Sequence, residues 1–245
     1  MPTRYLIVGQ GVAGIAAAEA IRSADASGAI TLLSDDPHGY YSRPGLAYYL
    51  TGEIPRSHLF PWSEENFHRL RLQRVHGQAI DLDPVGHYLR LADGTHLAYD
   101  RLLLATGSSA VRPTLPGVDL PQVVTLDNLA DAERILALAR KAHSAVVVGG
   151  GITALEIVEG LREHCRRVHY LLRGERYWNN VLDDAEARIV IQRLAAEGVQ
   201  IHTNTEIAAI EGQRGRVAAV LTADGRRIAC DMVAVAIGVA PRVQL

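Results

Sequence analysis
The sequence repeats one pattern in its two halves. Val8-Gly9-Gln10-Gly11-Val12-Ala13-Gly14 returns as Val148-Gly149-Gly150-Gly151-Ile152-Thr153-Ala154. Further on, Ala92-Asp93-Gly94 and then Asp100-Arg101-Leu102-Leu103-Leu104-Ala105-Thr106-Gly107 return as Ala223-Asp224-Gly225 and then Asp231-Met232-Val233-Ala234-Val235-Ala236-Ile237-Gly238. A short apolar run, a glycine cluster and an alanine- or leucine-rich run read as strand, tight turn and helix. Each Asp-Gly pair marks a hairpin between short strands. A chain of 245 residues built this way twice folds into alternating strands and helices around parallel sheets.

The individual elements follow from the same signals. Strands are predicted at 5–8, 30–33, 78–82, 88–91, 96–99 and 101–105, the last as a buried strand, with helices over 11–22 and 64–72. Residues 37–62 read as an aromatic loop. Residues 112–117, Arg-Pro-Thr-Leu-Pro-Gly, read as a linker because the prolines interrupt regular structure. A helix over 128–141 leads into the second cycle: strand 145–148, helix 153–163, strand 168–172, helix 184–197 stopped by Gly198, and strands at 201–203, 217–221, 227–230 and 232–236. The expected architecture is α/β: two Rossmann-like βαβ domains, 1–112 and 113–245, each a parallel sheet with a small antiparallel β layer.

The glycines carry the chemistry. In a strand–turn–helix unit of this kind the first glycine permits the turn, and the second leaves room for a pyrophosphate. The third position lets helix and strand pack closely. Phosphates then meet free N–H groups at the positive end of the helix dipole. Gly9, Gly11 and Gly14 fit these positions, as do Gly149, Gly151 and Ala154. An acidic residue about 20 positions on binds a ribose hydroxyl pair. Asp35 fills that position in the first unit, with Asp36 as a competitor. Aligning strand on strand in the second unit puts Arg173 opposite Asp35, and a cation there suits a 2′-phosphate. That favours NADPH over NADH, with Arg176 a second candidate cation and Glu175 a competing ribose ligand.

Composition limits the alternatives. A net charge of −2 leaves no footprint for nucleic acid or an anionic membrane. No apolar run reaches spanning length and no leader precedes the first strand, so a cytoplasmic protein is expected. Cys165 and Cys230 stand alone, which excludes a CxxC redox pair. His164, Cys165 and His169 cross from a helix end into a strand, and no metal site is expected of them. The aromatic residues between Tyr40 and Trp62 read either as a cover for a cofactor or acceptor surface or as core packing. Tyr177 and Trp178 are open to the same two readings.

Taken together, Gly9 to Gly14, Leu104-Ala105-Thr106-Gly107-Ser108, residues 149–156 and Ala236-Ile237-Gly238-Val239-Ala240-Pro241 resemble the FAD- and NAD(P)-dependent pyridine nucleotide–disulfide oxidoreductase-like flavoproteins. Tyr41-Ser42-Arg43-Pro44 is similar to the branch of rubredoxin and ferredoxin reductases and the flavin part of nitrite reductases. The resemblance implies that residues 1–112 bind FAD and residues 113–245 bind NAD(P)H. It implies that Gly9, Gly11 and Gly14 cradle the FAD pyrophosphate and Asp35 its ribose. Arg43 and Pro44 would lie beside the flavin, Ala79 would touch the adenine, and Ala105, Thr106 and Gly107 would close over the cofactor. Gly238 would close the second site, and Glu156 matches a glutamate near the nicotinamide, although as a residue it reads equally as part of a helix surface. The implied activity is hydride transfer from NAD(P)H to FAD and on to an acceptor such as a small rubredoxin- or ferredoxin-like protein. No side chain is singled out as acid, base or nucleophile.

Two departures from the pattern shape the expectations. No cysteine lies near either glycine turn, so thiol–disulfide chemistry is not expected. Relatives of this type return after the NAD(P) unit to complete the FAD domain, whereas this sequence ends at Val243-Gln244-Leu245. The expectation is therefore weak FAD retention by this chain. The alternative reading is a nucleotide-binding module or subunit without turnover of its own.

Overall fold
The computed structural model describes residues 1–245. The chain clusters into two compact units. One comprises Met1–Ser42, Arg56–Ser108 and Pro241–Leu245; the other comprises Arg43–Pro55 and Ser109–Ala240. The architecture is the α/β class expected, with parallel sheets and small antiparallel ones.

The first unit begins with β1 (Arg4–Val8), α1 (Val12–Ala24) and β2 (Ala29–Ser34). After lending α2 (Gly45–Thr51) to the other unit, the chain returns through α3 (Glu64–Arg69) to β3 (Leu72–His76). The strands β4 (Ala79–Asp83), β5 (Tyr88–Leu91) and β6 (His96–Ala98) form an antiparallel sheet, and β7 (Arg101–Leu104) completes a parallel sheet of order β3-β2-β1-β7. The apolar run of β1 is divided between two cores. Leu6 and Val8 pack with Leu33, Leu89, Leu91 and Tyr99. Ile7 packs with Ile15, Ala18, Ile30, Leu32 and Phe67. A parallel strand covered on both faces must be apolar throughout, which is why the sequence shows no alternation there.

The second unit repeats this plan with one strand more. After β8 (Ser108–Ala110) come β9 (Val123–Val124), α4 (Leu129–Ala139), β10 (Ser144–Val148), α5 (Ile152–Arg162), β11 (Arg167–Leu171), α6 (Asp184–Ala196) and β12 (Gln200–His202). The strands β13 (Ile207–Gln213), β14 (Arg216–Thr222) and β15 (Arg227–Ala229) form the antiparallel layer, followed by β16 (Met232–Val235) and β17 (Val239–Pro241), which pairs with β8. The parallel sheet has the order β12-β11-β10-β16-β9. Val146, Val148, Leu171, Val233 and Val235 meet Ile210, Val217, Val220, Ile228 and Cys230 in the core between the two layers. The segment read as a linker is packed down, with Leu115 and Val118 against that core.

The echoed aspartates have a structural explanation. Asp100 accepts the Arg4 backbone N–H at 2.8 Å and the Arg4 guanidinium at 2.7 Å. Asp231 accepts the backbone N–H groups of His143 at 2.8 Å and Ser144 at 2.9 Å. In each unit the residue before the closing strand thus caps the start of the first strand.

Three expectations are corrected. The aromatic stretch 37–62 contains a helix, α2, whose Leu46 and Leu50 are buried. The helix predicted over 64–72 stops at Arg69, and the chain turns at once into the unpredicted strand β3. The strand at 101–105 forms but is not buried: β7 lies at a sheet edge, with Leu103 39% and Leu104 45% exposed. Its counterpart β16 is wholly buried because β9 pairs along its other side.

Candidate functional site
In both sheets the chain order reverses beside the first strand, between β1 and β7 and between β10 and β16. Ligands of open α/β sheets lie in the crevice at the carboxyl ends of the strands at such a point. Each glycine turn is placed there, leaving β1 for α1 and β10 for α5.

The fold itself accounts for two of the three glycine positions. A Cβ on Gly9 would stand 2.1 Å from the Ala105 carbonyl oxygen, and one on Gly149 would stand 2.1 Å from that of Ala236. Both residues also have positive φ, +114° and +148°. Gly14 meets the Gly9 carbonyl so closely that a Cβ would come within 1.9 Å, and Ala154 is fully buried at the matching position. The middle glycines differ. Gly11 (φ −74°) and Gly151 (φ −111°) cap α1 and α5 in extended conformations open to any residue. A Cβ on either would meet nothing within 4 Å. Neither helix has a side-chain cap or an acidic residue in its first turn. The chain leaves an open cradle before two sets of free N–H donors, which fits the pyrophosphate of a dinucleotide such as FAD or NAD(P)H.

The strand ends flank these cradles. Asp35 is exposed, and its carboxylate makes no hydrogen bond within the chain. Its competitor Asp36 is engaged, accepting the His38 N–H at 2.9 Å and the Tyr41 hydroxyl at 3.2 Å. In the second unit Arg173 and Glu175 are exposed and unpaired. Arg176 is occupied: its guanidinium donates to the Leu182 carbonyl at 3.3 Å, the Asn179 carbonyl at 3.3 Å and Asp184 at 2.6 Å.

The other residues of interest are spread over both units. Ala79 opens β4 opposite Leu91. The Ala105 N–H donates to the Val8 carbonyl at 2.8 Å, the Thr106 hydroxyl donates to the Arg242 carbonyl at 2.8 Å, and the Gly107 carbonyl accepts the Arg242 N–H at 3.0 Å. Arg43 and Pro44 belong with the second unit, where Pro44 caps α2 and the Arg43 guanidinium donates to the Asp127 carbonyl. The Gly238 carbonyl accepts the Val111 N–H at 3.0 Å. Glu156 is half-buried on α5, and burial, then the Glu159 charge, hold its carboxyl above the ordinary range.

Burial pushes the Cys165 thiol up to about 11 and the Cys230 thiol up to about 12, so both remain protonated. His169 faces His202, with Nδ1 and Nε2 3.2 Å apart, rather than Cys165. No group of three or more His, Cys, Asp or Glu side chains could hold a metal ion. No helix is long and apolar enough to cross a membrane.

Residues 3–245 match the family model of the pyridine nucleotide-disulphide oxidoreductases. The chain belongs to this family. It is 35% identical over 243 residues to the biphenyl dioxygenase system ferredoxin–NAD(+) reductase component of Paraburkholderia xenovorans, covering 98% of this chain and 59% of that protein. It is 33% identical to the rubredoxin-NAD(+) reductase of Pseudomonas putida, covering 98% of this chain and 63% of that protein. Among solved structures, the ferredoxin reductase for the CYP199A2 system from Rhodopseudomonas palustris superposes with a TM-score of 0.93 at 30% identity, covering 99% of this chain and 60% of that one. The chain therefore spans about 60% of the length of these three relatives.

Proposed function
We propose that the chain is the nucleotide-binding part of an NAD(P)H-dependent flavoprotein reductase, with FAD in residues 1–112 and NAD(P)H in residues 113–245. The observation that carries this reading is the pair of open cradles at Gly11 and Gly151, the glycines that the protein's own packing leaves unexplained. FAD held there would supply a hydride acceptor for the nicotinamide and a one-electron donor for the acceptor. The chain's task is to bind and orient. The first turns of α1 and α5 offer N–H groups to the pyrophosphates, and the free carboxylate of Asp35 suits the flavin's adenosine ribose. Ala79 would border the adenine, Ala105, Thr106 and Gly107 would close the first cradle, and Gly238 the second. Arg43, Pro44 and Glu156 would line the side of the reacting rings. Family members carry electrons to ferredoxin or rubredoxin, and a small protein of that kind is the proposed acceptor, met in the cytoplasm.

The free guanidinium of Arg173, beside an Arg176 already engaged, supports NADPH as the preferred donor. Removing a charge-assisted contact of this kind costs about 1.5–3 kcal/mol. Arg173→Ala should weaken NADPH binding about 10-fold or more and leave NADH unchanged, as read by calorimetry. Equal NADH and NADPH affinities, unmoved by the substitution, would remove the 2′-phosphate reading. Oxidation of NAD(P)H with added FAD and a dye acceptor tests the reductase itself. Nucleotide binding without any turnover would leave a binding module.

A further inference from the structure
The segment after β11 folds back over the second glycine turn through a strained residue. Trp178 has φ +47°, in the left-handed region that bulky side chains avoid. The other non-glycine residues with positive φ are Arg71, His87, Asn204 and Arg214, and all of them lie in turns between regular elements. Trp178 too lies in a turn, between β11 and α6, and its backbone N–H donates to the Gly150 carbonyl at 2.9 Å. The surrounding loop enforces that conformation. The Trp178 carbonyl accepts from Val181 and Leu182 at 2.9 Å each, Arg176 ties the far side through Leu182, Asn179 and Asp184, and the Asn204 N–H holds the Gly174 carbonyl at 3.0 Å.

Strain held this firmly accompanies function when the side chain itself is needed. Glycine or asparagine would satisfy the same backbone without the cost. The Trp178 ring is half-buried, 6.1 Å from the fully buried Tyr177 ring, and its indole N–H has no partner within the chain. It therefore stands as an aromatic ring without a hydrogen-bond partner, on a residue whose backbone is tied to the Gly150 turn, in the segment that also carries the unpaired Arg173 just beyond the end of β11. We propose that Trp178 is the aromatic wall of the second site, packing against the adenosine end of the bound dinucleotide. This rests on the assignment of that cradle to NAD(P)H.

The test uses ADP-ribose and its 2′-phosphate, which carry the adenosine and pyrophosphate but no nicotinamide. The sequence contains two tryptophans, so Trp62→Phe leaves Trp178 as the only indole emitter. Its fluorescence should change saturably, with the Kd found by calorimetry. Trp178→Gly and Trp178→Asn should fold with a Tm at or above that of the parent and bind roughly 10-fold more weakly. Binding by the parent with unchanged Trp178 emission, or with undiminished affinity in both variants, would overturn this inference while leaving the cradle assignment intact. No binding of either compound by the parent chain would overturn both.

Discussion
Gly9 and Gly149 hold the points where a helix-bound chain passes a neighbouring carbonyl too closely for any side chain. An alanine there meets both a 2.1 Å contact with backbone and an unfavourable positive φ. Gly9→Ala and Gly149→Ala should each destabilise their unit by about 3 kcal/mol in urea unfolding. Gly11→Ala and Gly151→Ala, with open space and negative φ, should cost no more than about 1 kcal/mol as changes of helix cap. The same two substitutions should weaken nucleotide binding, because the methyl group enters the cradle. A Gly151→Ala chain that is stable and binds ADP-ribose as the parent does would refute the cradle. The His169–His202 pair makes a different residue-scale prediction. Burial holds both imidazoles below their usual pKa; the neighbouring His202 ring and Arg167 add to this at His169, and Arg226 adds to it at His202. The unfolded chain, with histidines near about 6.5, binds protons first as the pH falls. Stability is thus complete above about pH 6.5 and declines as pH drops through the interval down to the folded values. Urea midpoints between about pH 7.5 and 5 should show that decline, and His169→Gln with His202→Gln should flatten it.

At the scale of elements, α2 shows how a helix can hide in a sequence. Its seven residues carry two tyrosines and begin at Gly45 after Pro44, which reads locally as loop. The helix exists because it packs on α5, where Gly160 lies against Leu50 so closely that a Cβ would come within 2.7 Å. Gly160→Ala gains helix propensity of about 1 kcal/mol but forces the two helices apart. The net effect should be destabilising by about 1–2 kcal/mol, and Gly160→Val should be worse. An unchanged midpoint for Gly160→Ala would mean that the crossing is soft. Strand β3 was concealed for the opposite reason: its Gln73, Arg74 and His76 are polar, as an edge strand allows, and only pairing with β2 reveals it. The glycine turns, the hairpins and the repeated closing strands needed no such context, because each depends on residues close in sequence.

Over the whole molecule the two halves share a plan, yet one sheet has an edge where the other has a further strand. β9 covers β16, whereas β7 leaves Leu103 and Leu104 open. An exposed apolar edge invites association. Leu104→Lys should reduce self-association in light scattering while leaving the unfolding midpoint within about 0.5 kcal/mol of the parent. A large loss of stability would show instead that this leucine is held in the core. The sequence by itself determined the duplication, the parallel sheets and both cradles, because glycine spacing and apolar runs act over a few residues. It also singled out Asp35 and Arg173 by their distance along the chain. Tertiary structure alone decided which candidates remain free to act. Asp36 and Arg176 are taken up by neighbouring loops, Arg43 is drawn to Asp127, and Trp178 is bent onto Gly150. A side chain's availability depends on which distant groups satisfy it first, and that competition takes place only in the folded chain.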